Sequence, residues 1–454
     1  MRKAAAPAVD SAAGTLRSIP AVERVLSTPS FVSLASEFGR QRVKEAVVEH
    51  LSDLRAAVAR WDEASALAAV AARLRTATTS LLRRVINGTG VIIHTNLGRS
   101  PIDPSLWAEG GEVVTGYSNL EFDLAAGERG RRDNHLTQLC RSLFGCQAAV
   151  LTNNNAAAVL LLLSAVAAKK EVIVSRGELV EIGGGFRVPE VIQQGGAKLR
   201  EVGTTNRTRA RDYADAVTRK TAAILRVHRS NFDMVGFTET PPVEELAALA
   251  RSKGVPMLYD EGSGRVVDLE PYGFSRAATI REVIAAGVGA VTCSTDKLLG
   301  ATQGGLILGR EEIIDRCRLH PLMRALRAGK ESYAVIGSTL AVFATGKHEE
   351  RVPIYRMLAT PVDELRRRAA EVVRGTAARV IESRAVLGGG TTPSENIASI
   401  ALALDGEAAR HHARFLAMTP PIAGRVADGH FTIDLRTVLP EELPLVRSAL
   451  EKAG

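Results

Sequence analysis

Lys297 stands in a setting that favours covalent chemistry. A run of small and β-branched residues from Val288 to Thr292 predicts a buried strand, and a second apolar run follows from Leu306 to Leu308. A lysine between two buried strands is unusual, because burying its ammonium group is costly. One function that requires such a lysine is a Schiff base with pyridoxal phosphate (PLP). The alternative at this point is a surface lysine in a turn between two strands.

Asp260 is the first candidate partner of that lysine. It follows the apolar strand predicted from Val255 to Tyr259 and precedes a Gly-Ser-Gly turn. An aspartate at the carboxyl end of a buried strand can bind the pyridinium N–H of PLP, which keeps the ring protonated and able to take up electrons. The same residue can instead cap a turn. Because Lys297 follows the next predicted strand, we favour the cofactor.

Three consecutive asparagines join a predicted strand to a long apolar helix. The first backbone N–H groups of a helix have no partner within it, so Asn154, Asn155 and Ala156 can bind a phosphate group there. Ser294, shortly before the lysine, can add a hydroxyl to the same phosphate. The asparagines can also be ordinary N-caps, and the two roles are compatible.

Three arginines are candidate ligands of an oxyanion. Arg324 and Arg327 are three residues apart, which places them on one face of a predicted helix, and Arg99 ends a predicted loop that begins at His94. Guanidinium groups bind phosphate through several hydrogen bonds. Each arginine alone can equally be a salt-bridged surface residue, so the oxyanion site depends on their convergence.

Short β-rich runs alternate with helical runs from Val85 onward, which predicts an α/β fold. The helices are expected at residues 154–168, 186–194, 213–217 and 243–253, and the strands at residues 91–93, 148–151, 171–174, 198–202, 222–227, 255–259 and 290–292. This alternation is typical of a mostly parallel sheet covered on both faces, and the site of such a sheet lies beyond the carboxyl ends of its strands.

Three domains are predicted along the chain. Residues 1–76 form a helical domain with a flexible tail over residues 1–15, since apolar residues recur at helical spacing at Val43, Val47, Leu51, Leu54 and Val58. Residues 77–338 form the large α/β domain. Residues 339–454 form a small α+β domain, which is expected to be mostly helical at first, notably over 349–378, with strands at 397–404 and 429–435.

Composition restricts the class of protein. The chain has 454 residues, a mean hydropathy of +0.04 and a net charge of +8. Residues 1–86 hold 13 basic and 8 acidic side chains, an excess that favours a polyanionic partner, although a solvated helix face is the alternative. No apolar run has transmembrane length and no secretory signal is present. The four cysteines have no metal-ligand spacing, so reduced thiols in a cytoplasmic protein without a metal site are expected.

Together these motifs resemble those of the bacterial selenocysteine synthase family, the L-seryl-tRNA(Sec) selenium transferases. The resemblance runs from about Ile19 to Leu439, and its most specific stretch is Glu201 to Thr208, EVGTTNRT. The other matching stretches are residues 94–99, 117–123, 153–162, 174–184, 296–300 and 320–327.

The resemblance implies a PLP-dependent transferase of fold type I, which is aspartate-aminotransferase-like. It implies that Lys297 carries PLP as a Schiff base, that Asp260 faces the pyridine nitrogen, and that Asp296 is the acid beside the lysine, with a possible part in proton transfer. The selenium donor would be received by three arginines, Arg99, Arg324 and Arg327.

The same resemblance implies the reaction and the partners. The serine hydroxyl of seryl-tRNA(Sec) is eliminated and selenium from selenophosphate adds to the β-carbon, with the tRNA held by the helical N-terminal domain. A homo-oligomer is implied, a ring of dimers that forms a decamer. The chain departs from the family pattern at Cys293, Thr295, Ala301 and Glu261, residues that are expected to surround the cofactor.

Two other classes of function remain open from the sequence. The first is a PLP-dependent lyase that acts on a small free amino acid or amino sugar acid, although such a substrate needs no basic docking domain. The second is an RNA-binding protein that retains a degenerate PLP fold without catalysis. Intact Lys297 and Asp260 argue against the second class.

Overall fold

The computed structural model describes residues 16–78, 81–182, 185–427 and 429–453. Its contacts divide the chain into two compact units, Met1–Arg84 and Val85–Gly454. The predicted tail, residues 1–15, lies outside the described residues, as do Gly183 and Gly184 of the matching stretch 174–184. The predicted boundaries at residues 76 and 338 fall within helices, so the division into three domains stays a prediction.

The N-terminal unit is a group of α-helices with its own apolar core. The spacing predicted for its third helix is confirmed at Val43, Val47 and Leu51, which are fully buried, whereas Leu54 is partly buried. Val58 is exposed because the helix has ended two residues earlier. The helices are α1 (Val22–Leu26), α2 (Pro29–Phe38), α3 (Arg40–Ala56) and α4 (Glu63–Thr78).

Several basic side chains of this unit form exposed ion pairs. Arg40 and Lys44 lie 3.0 and 3.4 Å from the Glu23 carboxylate, and Arg73 lies 2.9 Å from Asp53. Exposed pairs of this kind contribute at most about 1 kcal/mol and are screened by salt. These cations therefore remain accessible to a polyanion.

A seven-stranded sheet forms the centre of the second unit. In chain order its strands are β1 (Ala148–Thr152), β2 (Glu171–Ser175), β3 (Lys198–Val202), β4 (Thr221–Val227), β5 (Met257–Asp260), β6 (Ala290–Ser294) and β7 (Gly305–Gly309). The order across the sheet is β1-β7-β6-β5-β4-β2-β3. Strand β7 is antiparallel to both neighbours, and the other pairings are parallel. The predicted mostly parallel sheet is thus confirmed.

Alternate side chains of these strands enter two separate apolar cores. Leu151, Ile173 and Ile224 pack in one core, whereas Val150 and Val172 pack in the other. This period of two places helices on both faces, so each strand is buried on both sides. The helices of this part are α5 (Pro104–Thr115), α6 (Asn134–Phe144), α7 (Asn155–Ala167), α8 (Val188–Gln194), α9 (Ala210–Ala216), α10 (Val243–Ser252), α11 (Ile280–Ala285), α12 (Glu311–Leu319), α13 (Met323–Leu326) and α14 (Lys330–Ala344).

Two helices begin elsewhere than predicted. The helix expected from residue 186 begins at Val188, because Phe186–Arg187 pairs with Glu181–Ile182 as a short strand. The helix expected from residue 213 begins at Ala210, because the Asp212 carboxylate accepts a hydrogen bond from the backbone N–H of Arg209 at 2.8 Å. Strand pairing thus sets the first of these starts, and a capping hydrogen bond sets the second.

A second, four-stranded antiparallel sheet follows in the C-terminal part. Its order is β8-β9-β11-β10, with β8 (Arg379–Gly388), β9 (Thr392–Leu404), β10 (Arg425–Ala427) and β11 (His430–Asp434). The mostly helical character expected at 349–378 is confirmed, and prolines divide the stretch, since new helices begin at Pro353 and after Pro361. The helices are α15 (His348–Arg351), α16 (Pro353–Ala359), α17 (Val362–Val372), α18 (Ala408–Leu416) and α19 (Leu443–Ala453).

The strand expected at 91–93 is reduced to an isolated bridge. Val91 pairs with Val386, and the N–H groups of Ile92 and Ile93 donate to the carbonyls of Val386 and Leu387 at 2.9 and 2.8 Å. A neighbouring two-residue strand, Ile86–Asn87, pairs in parallel with Ile422–Ala423. These contacts join the start of the second unit to its C-terminal part. Within the described ranges, no helix is long and apolar enough to cross a membrane.

Gly305 tests how closely the sheet and helix α7 must approach each other. A methyl group on Gly305 would lie 2.8 Å from the Asn155 nitrogen and closer still to the Asn154 carbonyl. We expect Gly305→Ala to destabilise the protein by about 1–3 kcal/mol, because the backbone of the helix start cannot move aside freely. Urea unfolding measures the change. Gly111→Ala, in helix α5 with open space around it, is the matched control, and equal losses in both variants would contradict the prediction.

Candidate active site

A cavity of about 250 Å³ lies beyond the carboxyl ends of the central strands. Strands β4, β5 and β6 end at Val227, Asp260 and Ser294, in parallel register. Seven of the ten predicted site residues line this cavity, so parallel pairing brings together side chains that are far apart in sequence: Arg99, Asn154, Asn155, Ala156, Asp260, Ser294 and Lys297.

Lys297 lies in the connection between β6 and β7 and is buried. The Ser100 hydroxyl donates to its carbonyl at 2.5 Å, and its amine lies 3.4 Å from the Gly390 carbonyl. Burial lowers the pKa of this amine and the Arg99 guanidinium lowers it further, whereas Asp260 and other carboxylates act in the opposite direction. A lower pKa leaves more of the amine neutral, which is the nucleophilic form.

Asp260 is held by two side chains from neighbouring elements. Its Oδ1 accepts hydrogen bonds from Asn155 Nδ2 at 2.8 Å and from Thr292 Oγ1 at 3.0 Å. Burial raises the pKa of the carboxyl group, while these hydrogen bonds and the charge of Lys297 lower it. The carboxylate is thus fixed in orientation beside the lysine, and an adjacent cation would favour its ionised form.

The start of helix α7 combines the two roles expected of its asparagines. Asn154 is the N-cap, and its Oδ1 accepts the Ala157 N–H at 2.9 Å. The Asn155 side chain binds Asp260 instead of facing a phosphate, which the sequence did not indicate. The N–H groups of Asn155 and Ala156 belong to the first turn, where a helix offers no internal acceptor, so they can bind an anion in the cavity.

Arg99, which lines the cavity, forms an ion pair with Asp296. Arg99 Nη1 lies 2.5 Å from Asp296 Oδ2, and Asp296 immediately precedes the buried lysine. The backbone of Arg99 is left-handed, with φ of 65°, and the N–H of Ser100 donates to the Asp296 carbonyl at 3.3 Å. Asp296 is not among the described residues that line the cavity.

Arg324 and Arg327 do not share a helix face as predicted. Helix α13 ends at Leu326, and Arg327 is extended because it pairs with Thr152 at the end of β1. Arg327 Nη1 lies 3.3 Å from Glu121, whereas Arg324 is exposed. Neither lines the cavity, so the described part of a single chain does not bring the three arginines together.

The four departures from the family pattern are structural. Glu261 is buried and accepts hydrogen bonds from the Gly264 and Arg265 N–H groups at 2.6 and 3.4 Å, so it stabilises the turn after β5. Cys293 and Ala301 are buried in the core, and burial raises the pKa of the Cys293 thiol well above its usual value.

The Thr295 side chain is equally occupied by the fold, since its hydroxyl donates to the Thr302 carbonyl at 2.6 Å. None of the four departures is among the described residues that line the cavity. Their effect on a bound cofactor therefore stays a prediction.

Four cavity residues were not among the predicted site residues: His228, Ser230, Gly262 and Gln303. His228 follows β4, and its backbone N–H donates to the Asp260 carbonyl at 2.9 Å. Its buried Nε2 has no hydrogen-bond partner among the described residues, and burial lowers the pKa of the imidazole. The position of His228 at the carboxyl end of β4, the strand beside β5, could have identified it as a site residue.

The arrangement suits a group with an aldehyde, a ring nitrogen and a phosphate. Lys297 offers an amine, Asp260 a carboxylate, and the first turn of α7 its N–H groups. The unpartnered polar atoms Asn155 Oδ1 and His228 Nε2 are further binding groups within the same wall. This set of donors and acceptors matches PLP in chemistry, because each part of that molecule has a complementary partner.

Gly390 limits the position of the lysine amine. A methyl group on Gly390, whose φ is 86°, would lie 2.6 Å from Lys297 Nζ. We expect Gly390→Ala to displace the amine and to reduce Schiff-base formation with added PLP at least tenfold, followed by visible absorbance. Gly429→Ala shares the left-handed strain, with φ of 79° and open space around it, so it should react like the unmodified protein. An unchanged reaction in Gly390→Ala would contradict the prediction.

Comparisons with known proteins identify relatives along nearly the whole chain. Residues 85–439 match the family model described as L-seryl-tRNA selenium transferase, and residues 16–55 match the model of the selenocysteine synthase N terminal. The chain is 45% identical to L-seryl-tRNA(Sec) selenium transferase of Geobacter sulfurreducens, over 96% of this chain and 98% of that protein. It is 39% identical to the protein of the same name from Carboxydothermus hydrogenoformans, over 96% and 97%.

Among solved structures, the chain is similar to D-glucosaminate-6-phosphate ammonia-lyase. The TM-score is 0.61 at 19% identity, over 83% of this chain and 98% of that one. The similarity concerns the fold, and it confirms the predicted α/β fold class, the PLP-dependent transferase fold of type I.

Proposed function

The chain belongs to the L-seryl-tRNA selenium transferase family, and we propose that it converts seryl-tRNA(Sec) to selenocysteyl-tRNA(Sec). The reaction proposed is elimination of the serine hydroxyl followed by addition of selenium from selenophosphate. One observation carries the proposal: in a chain 45% identical to such an enzyme, the predicted lysine, aspartate and helix start meet around one cavity.

PLP is the proposed cofactor, attached to Lys297 as a Schiff base. Asp260 would bind the pyridine nitrogen, and the N–H groups of Asn155 and Ala156 would bind the phosphate, with Ser294 as an additional donor. Bound PLP supplies an electron sink for the carbanion formed at the α-carbon of the seryl group. The fixed orientation of Asp260 by Asn155 and Thr292 supports this role.

Proton transfer is assigned to the chain's own side chains. Once its amine is free, Lys297 Nζ takes the α-proton of the seryl group, and the lowered pKa of this amine supports its action as a base. Asp296, next along the chain, would assist proton transfer to the departing hydroxyl. The Arg99 guanidinium would receive the phosphate of the selenium donor, since it lines the same cavity.

The partners are proposed from the resemblance and from charge. The N-terminal unit, with its accessible Arg40, Lys44 and Arg73, would bind the tRNA in the cytoplasm. The chain would assemble as a homo-oligomer, a ring of dimers and by resemblance a decamer. Arg324 and Arg327 lie away from the cavity in one chain, so their proposed contact with the donor requires a rearrangement or a second copy.

Replacement of Lys297 tests the cofactor. We expect the purified protein to show a visible absorbance band after addition of PLP, and Lys297→Ala to lack it, because no other amine lies in the cavity as described. Lys253→Ala, an exposed lysine, is the matched control and should keep the band. A Lys297→Ala protein that retained the full band would contradict the assignment.

The reaction itself is tested by mixing the protein with seryl-tRNA(Sec) and selenophosphate. We expect selenocysteyl-tRNA(Sec) to form, and its rate of formation to fall at least 10³-fold in Lys297→Ala. The variant loses both the amine that binds the cofactor and the base that removes the α-proton. Mass spectrometry of the released amino acid detects the product. Turnover of a free amino acid or amino sugar acid without any product on tRNA would instead identify a lyase.

A further inference from the structure

The ion pair between Arg99 and Asp296 suggests how the oxyanion site is controlled. We propose that Asp296 is an internal substitute for the oxyanion, which occupies Arg99 until a dianionic phosphate group displaces it. This inference rests on the proposed function, in which Arg99 receives the phosphate of the selenium donor. It gives Asp296 a role in specificity that is separate from any role in proton transfer.

The contact is strong but incomplete, which makes it replaceable. Arg99 Nη1 and Asp296 Oδ2 are 2.5 Å apart, and the Asp296 side chain is 10% exposed. The second oxygen, Asp296 Oδ1, is buried without a hydrogen-bond partner among the described residues. Asp296 therefore holds Arg99 through one oxygen only, so an incoming oxyanion has a single hydrogen bond to replace.

The remaining donors of the guanidinium are available to a ligand. The Arg99 side chain is 33% exposed and lines the cavity, whereas Asp296 holds it through a single nitrogen. A phosphate can accept two parallel hydrogen bonds from one guanidinium, which a carboxylate held at one oxygen does not. An oxyanion in the cavity therefore gains contacts that the internal pair does not use.

The backbone holds both partners in place, so the exchange needs only side-chain movement. The Ser100 N–H donates to the Asp296 carbonyl, and the Ser100 hydroxyl donates to the Lys297 carbonyl. Arg99 adopts a left-handed backbone that is costly for a non-glycine residue, and these bonds stabilise it. The guanidinium is thus presented at one fixed place to either anion.

Competition with an internal carboxylate selects the charge of the ligand. A singly charged anion offers Arg99 no more charge than Asp296 already supplies, and it must also displace a tethered group. A dianion offers a stronger interaction within the same site. Competition from the Asp296 carboxylate therefore makes the site prefer a dianionic phosphate group over common monovalent anions. The carboxylate releases the Arg99 guanidinium only when such a group binds in its place.

The experiment measures anion binding to the PLP-loaded protein, in which the cofactor already fills its own phosphate subsite. Inorganic phosphate and nitrate are titrated by calorimetry at a pH where phosphate is mostly dianionic. We expect Asp296→Asn to bind phosphate about tenfold more tightly than the unmodified protein, since the competing charge is removed. The preference for phosphate over nitrate should decrease in the same variant.

Two controls separate this effect from a general change in charge. Asp268→Asn removes a carboxylate that forms a 2.8 Å pair with Arg276 outside the cavity lining, so it should leave phosphate binding unchanged. In the double variant Arg99→Ala/Asp296→Asn, the gain should disappear, because the proposal places it entirely at Arg99. Asp296→Ser replaces Asp296→Asn if the latter does not load PLP.

Phosphate binding by Asp296→Asn that is no tighter than in the unmodified protein would overturn the proposal. A gain that persists without Arg99 would overturn it as well. Because neither tRNA nor a selenium donor is present, these outcomes are independent of whether the chain converts seryl-tRNA(Sec). Failure of the proposed function in its own assay would leave the anion measurement interpretable.

Discussion

Burial of the Lys297 amine beside the buried carboxylate of Asp260 is the interaction on which the site depends. A buried ammonium and a buried carboxylate are each costly alone, and they are tolerated where partners offset the loss of water. The carboxylate has Asn155 and Thr292 as donors, and the amine lies near the Gly390 carbonyl. The parallel sheet brings these groups together at the carboxyl ends of neighbouring strands. A cofactor with complementary charges would supply the remaining partners of the buried amine and carboxylate.

Two adjacent buried carboxylates show how partners decide the role of a side chain. Asp260 accepts side-chain donors and faces the cavity, so it is available to a ligand. Glu261 accepts backbone N–H groups of its own turn and does not line the cavity. Its departure from the family pattern thus stabilises the loop that follows β5, and its charge acts to raise the pKa of the Lys297 amine and of the Asp260 carboxyl group.

Much of the fold and the centre of the site followed from the sequence, because apolar runs end at the residues that matter. Lys297 and Asp260 became candidates by that rule, and the resemblance to the family assigned their roles. The direction of the Asn155 side chain could not be predicted from the sequence, because neighbours on other strands determine it. The end of helix α13 before Arg327 depends on a bridge to Thr152, a contact between residues distant in sequence. His228 was missed because its relevance arises only once β4 lies beside β5.

The most direct measurement of the central claim is borohydride reduction of the PLP-loaded protein, followed by peptide mapping with mass spectrometry. Reduction converts a Schiff base to a stable secondary amine, so the modified lysine keeps the cofactor through digestion. We predict one modified peptide, with the cofactor mass on Lys297. A cofactor found on another lysine, or an unmodified Lys297 in a protein that carries stoichiometric PLP, would contradict it.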